Sequence, residues 1–149
     1  MKHLRALTFD LDDTLWDNRP VLMAAEQSLY DWLGRHYPRI NQHYSLEGMW
    51  SLRQELLKRN PELRHDVTTL RKDSLHVMAQ TCGYDDKLVE PACDVFLEAR
   101  LRVTLYSDVE PAWRRVRAAG YCLGTLTNGH ADVPRLGLGH WCVCCVSAA

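Results

Sequence analysis

Apolar and polar positions change their spacing several times along this chain of 149 residues. From Leu4 to Asp10 an apolar run reads as a strand, and it stops abruptly in acidic residues. From Asp17 to Ser107 the spacing becomes helical, with few strand signals. Asn18 with Pro20 predicts a cap and first turn, and Leu22, Leu29 and Leu33 share one face through about His36. A loop at Pro38 ends that helix. Ser45 predicts the cap of a second helix carrying Met49, Leu52 and Leu56, which Asn60-Pro61 stops. Asp66 predicts the cap of a third, with Val67, Leu70 and Met78 inward and Gly83 as its exit. A fourth runs from about Asp86 to Val103, with Pro91 near its first turn, and presents Val95, Phe96 and Ala99.

Pro111 then opens a fifth helix that buries Trp113 and Val116 and closes at Gly120, and a second strand begins at Tyr121. Strand, helix and strand with continuous apolar strands predict a parallel sheet covered on both faces. Four helices inserted between the two strands read as a lid. In open sheets of this kind ligands sit beyond the carboxyl ends of the strands, where Asp10 and Thr127 would meet.

A net charge of -1 and 46% hydrophobic residues predict one compact unit, or one core plus a small insert. The densest basic group, Arg114, Arg115 and Arg117, fits a solvated helix face, so nothing points to nucleic acid. No apolar run approaches bilayer length, and Met1-Lys2-His3-Leu4-Arg5 leads into a strand rather than a signal peptide. A cytoplasmic protein without a membrane partner is expected. The six cysteines, at 82, 93, 122, 142, 144 and 145, are then expected as free thiols. Cys142-Val143-Cys144-Cys145 beside His140 lacks a second ligand pair at zinc spacing.

The chemistry concentrates in Phe9-Asp10-Leu11-Asp12-Asp13-Thr14-Leu15. Two carboxylates about 4 Å apart repel by roughly 4 kcal/mol at an effective dielectric of 20. Such a cluster needs a positive partner or a well-solvated chain end. Asp10 and Asp12 share one face of the extended chain, where they could hold a divalent cation and do acid-base work. The second strand, Tyr121 to Thr127, ends in Thr127-Asn128-Gly129.

These two segments resemble the first and second motifs of the haloacid dehalogenase superfamily of phosphotransferases. The resemblance implies an α/β fold: a Rossmann-like parallel sheet, with its core in residues 1–16 and 108–149 and an all-helical cap in 17–107. It implies a phosphatase in which Asp10 is the nucleophile, forming an aspartyl-phosphate, and Asp12 is the general acid and base. The dehalogenases that name the superfamily lack that second carboxylate. Thr127 and Asn128 would bind phosphate. Mg2+ would be the cofactor, held by Asp10, by the backbone carbonyl of Asp12 and by a later acidic residue. Asp13 and Thr14 are expected to shape the turn. His65 and Arg71 are read as surface residues within reach of a substrate.

Leu7 to Pro20, with His65-Asp66-Val67-Thr68, further resembles the bacterial phosphatases of this superfamily that hydrolyse flavin mononucleotide and a phosphorylated pyrimidine precursor of riboflavin. A small phosphorylated metabolite is thus the implied partner. Two alternatives stay open: a phosphosugar mutase using the same aspartates, and a catalytically dead relative whose insert binds a partner. The superfamily's third-motif lysine and fourth-motif acidic residues have no counterpart here. The only lysines are Lys2, Lys58, Lys72 and Lys87, and no Asp or Glu follows Asp132. A C-terminal truncation or a frame change, an incomplete core and an impaired enzyme are therefore expected. Trp141 to Ser147 takes the place of the third strand.

Overall fold

The computed structural model describes residues 4–127, 132–142 and 144–147. Three strands, β1 (Ala6–Phe9), β2 (Cys122–Thr127) and β3 (Cys144–Ser147), form a parallel sheet in the order β1-β2-β3. Between β1 and β2 the chain is helical: α1 (Asn18–His36), α2 (Pro38–His43), α3 (Leu46–Arg59), α4 (Val67–Thr81), α5 (Val89–Arg100) and α6 (Val109–Ala118). The architecture is α/β, with a parallel sheet and a long helical segment.

The chain divides into two compact units, Met1–Leu22 with Arg100–Ala149, and Met23–Ala99. In the first, Leu11, Leu15, Trp16, Val109, Trp113, Leu123, Val133, Leu138 and Trp141 form one buried cluster. Trp113 of α6 is its hub, with its ring 6.0 Å from Phe9 and 5.7 Å from Trp141. Only one sheet face is covered this way. Alternation along the pleat turns Leu123 and Thr125 inward and Ala6, Thr8, Cys122 and Leu126 outward, where Leu126 and Val146 stay more than half exposed. The expectation of a sheet covered on both faces is corrected accordingly. Apart from Thr8 the outward residues are apolar, as such a sheet requires, yet all four are exposed among the described residues.

The second unit buries Leu29, Leu33, Ile40, Met49, Leu75, Met78 and Phe96. Its caps follow side-chain chemistry legible in the sequence: Ser45 Oγ accepts from the Gly48 amide, and Asp66 Oδ1 accepts from the Thr69 amide. Three local expectations change. Pro38 opens the short helix α2 instead of a loop, since its fixed φ suits a first helical position. Val67 is 58% exposed, because it occupies the first turn of α4, before the buried stripe begins at Leu70. The predicted fourth helix is a 3-10 turn, Asp86–Leu88, followed by α5, which stops at Arg100.

Candidate active site

The acidic turn is built by its apolar residues. Leu11, Leu15 and Trp16 are buried, pinning the loop to the core, and the Leu11 carbonyl accepts from the amides of Thr14 and Leu15. Asp13 closes the turn with φ +59°, a left-handed conformation that Asp tolerates better than most residues. Its Oδ1 accepts from the Asn18 amide, and Asp17 Oδ1 accepts from the Arg19 amide, so α1 is started by two aspartates rather than by Asn18.

Asp10 follows β1 directly and is exposed. The register pairs Phe9 with Thr125, so residue 10 stands level with Leu126 and Thr127 one residue further along. Positions 10 and 127 therefore leave adjacent strands at the same carboxyl edge. Thr127 itself is buried, continuing the inward alternation of Leu123 and Thr125. Asn128 lies outside the described residues. Thr125 Oγ1, on the same inward face, is buried without a hydrogen-bond partner among the described residues.

Asp12 carries a contact the sequence does not announce. Nη2 of Arg100 donates to both of its carboxylate oxygens, at 3.1 and 3.0 Å, with both side chains more than three-quarters buried. This is the positive partner that the crowded carboxylates need. The two residues are 88 positions apart, and no local pattern marks Arg100.

The donor set fits magnesium in part. Among the described residues no group of three His, Cys, Asp or Glu is arranged to hold a metal ion. Asp10 offers one exposed carboxylate, and the Asp12 side chain is engaged by Arg100. That set matches a cation that keeps most of its waters, as magnesium does, better than a cage of protein ligands.

A model of haloacid dehalogenase-like hydrolases matches residues 4–143. The chain belongs to the haloacid dehalogenase-like hydrolase family. Within that family it is 30% identical over 142 residues to the 5-amino-6-(5-phospho-D-ribitylamino)uracil phosphatase YigB of Escherichia coli K12, a match covering 93% of this chain and 59% of that protein. It is 29% identical to an (S)-2-haloacid dehalogenase of Pseudomonas putida, across 91% of this chain and 56% of that one. The solved 2-haloacid dehalogenase of Pseudomonas syringae pv. Tomato DC3000 superposes with a TM-score of 0.82 at 35% identity, covering 97% of this chain and 64% of that structure. This haloacid dehalogenase-like hydrolase thus spans 56–64% of the length of these relatives. They include both a phosphatase and dehalogenases. Among its described residues no helix is long and apolar enough to cross a membrane.

Proposed function

We propose that this hydrolase acts as a phosphatase on small phosphorylated metabolites, with Asp10 as nucleophile and Asp12 as general acid and base. The observation that carries this reading is the second carboxylate. Asp12 stands two residues after Asp10 on a buried-anchored turn, where the dehalogenases of the superfamily have none, and Arg100 orients it.

In the proposed reaction an Asp10 carboxylate oxygen attacks phosphorus while the P–O ester bond breaks, and Asp12 gives its proton to the departing alkoxide. Asp12 then takes a proton from water, whose oxygen displaces Asp10 and releases inorganic phosphate. The Thr127 hydroxyl and the Asn128 amide would hold phosphoryl oxygens at the strand edge. Charge developing on those oxygens is what bound magnesium would neutralise. Asp10 and the Asp12 carbonyl would hold that ion. Residues 17–107 would be the cap of the family, with Met23–Ala99 as its compact part. Flavin mononucleotide and the ribityl-pyrimidine phosphate named for YigB are the first substrates to assay.

Turnover by these 149 residues is expected to be slow. They contain no lysine after Lys87, and loss of one preorganised charge-stabilising donor costs about 3 to 4 kcal/mol, several hundred-fold or more in rate. The test is slow, magnesium-dependent release of phosphate from an aryl phosphate, run beside chloride release from 2-chloropropionate. Phosphate release lost in Asp10→Asn and Asp12→Asn supports the proposal. Chloride release without phosphate release would assign the chain to the dehalogenases, and hydrolysis at ordinary enzyme rates would refute the need for the missing lysine.

A further inference from the structure

The helical unit carries a charge imbalance in its interior. Glu26 of α1, Arg53 of α3 and Arg71 of α4 meet there, with side chains 10%, 9% and 13% exposed. Both guanidiniums lie against the same oxygen, Glu26 Oε1, at 2.8 Å: Arg71 Nη1 donates a hydrogen bond to it, and Arg53 Nη2 forms an ion pair with it. The second carboxylate oxygen, Oε2, and Arg53 Nη1 are both buried with no hydrogen-bond partner among the described residues. Arg71 also lies flat against Phe96 of α5, its guanidinium carbon 3.4 Å from the ring centre.

Two arginines against one glutamate leave one positive charge unbalanced. Removing an ion from water is expensive, and its partners repay that only when charges and hydrogen bonds are both satisfied. Among the groups that act on Arg71, Glu26 is the one carboxylate. Burial pulls the Arg71 guanidinium below its ordinary value, Glu26 and Arg53 act on it in opposite senses, and burial of the nearby Cys93 thiol pushes that group up, so it stays neutral. A trapped water could bridge Arg53 Nη1 and Glu26 Oε2. It would satisfy their hydrogen bonds but not the excess charge.

We propose that Arg53 and Arg71 form an anion-binding site inside the helical unit, which takes a small oxyanion such as a carboxylate or phosphate group. Guanidinium is the donor suited to this, since its planar fork matches the spacing of oxyanion oxygens. Glu26 holds the two arginines side by side and limits affinity by its own charge, which makes the site exchangeable. Arg71 keeps part of its side chain open to solvent, so the cluster is not sealed from water. The proposal is independent of the phosphatase reading, because none of these residues belongs to the strand edge.

The test is isothermal titration of the 149-residue chain with inorganic phosphate, without magnesium and at constant ionic strength in chloride, repeated with acetate. Saturable one-site binding is expected, with a rise in the unfolding midpoint that saturates alongside it. Glu26→Gln should bind at least about threefold more tightly, as a neighbouring negative charge is removed, and Arg53→Met about tenfold or more weakly. Acetate binding that equals phosphate binding assigns a carboxylate site, and phosphate binding alone assigns a phosphate site. If Arg53→Met fails to fold, the wild-type and Glu26→Gln titrations decide. Absence of saturable binding by the wild-type chain overturns the proposal. So does binding that Glu26→Gln leaves unchanged, or that Thr127→Val abolishes, since the latter places the anion at the strand edge.

Discussion

Replacing Arg100 by Met removes the only positive group seen against Asp12 among the described residues. Exposed ion pairs contribute about 0.2 to 1 kcal/mol, and hydrogen bonds to charged groups about 1.5 to 3. Side chains 22% and 24% exposed fall between these cases, so about 1 to 2 kcal/mol is expected. For a chain of this size that corresponds to a fall in the unfolding midpoint of roughly 3 to 6 °C. One nitrogen, Nη2, reaches both oxygens, which a compact ammonium can also do. Arg100→Lys should therefore recover at least half of the loss, although Arg and Lys are not interchangeable at forked sites. Asp12→Asn combined with Arg100→Met should lose less than the sum of the two single changes, because each alone strands its partner. The assay is thermal unfolding followed by circular dichroism at low salt and at 1 M, where the Debye length is about 3 Å and the difference should shrink. An Arg100→Met chain as stable as wild type, or additive single changes, would refute the reasoning.

Two further outcomes follow from packing and titration. At Gly124 an added Cβ would lie 2.8 Å from Cys144 Sγ and 3.3 Å from the Cys144 carbonyl. Gly124→Ala should thus turn the Cys144 side chain away, shift the Cys144 carbonyl by a few tenths of an ångström and destabilise by about 1 kcal/mol; it should speed amide exchange in Cys144–Ser147, and unchanged exchange there would contradict the strand pairing. Burial pushes the Cys142 thiol up to about 11, with Cys145 and Cys144 adding to the shift, and burial also raises Cys93 and Cys82. Folded-state values above the unfolded ones favour the folded chain while the thiols are protonated, so this stability is full below about pH 8.5 and lost as pH climbs towards 11. The unfolding midpoint should fall across that window, and less steeply in Cys142→Ala; equal slopes would show that Cys142 is not the group responsible.

Local rules carried the sequence a long way here. The apolar run into Asp10, the Ser45 and Asp66 caps, the buried face of α6 and the family motif are all short-range patterns, decided by propensity, capping and period. So the order of strand, helical insert and strand and the parallel α/β class were legible without coordinates. The helix at Pro38 was legible too, in hindsight, since proline favours a first turn as much as it breaks an interior one.

What tertiary structure alone decided is which distant charges meet. Arg100 reaches Asp12 across 88 positions, and Arg71, read from the sequence as a surface residue, is drawn into the interior by Glu26 and Phe96. No periodicity encodes such pairings, because a guanidinium on a long flexible stem serves equally well on a solvated face or in a buried cluster. The sheet face left open by the described residues belongs to the same class: apolarity says that a face wants cover, and packing decides which of the described residues supply it.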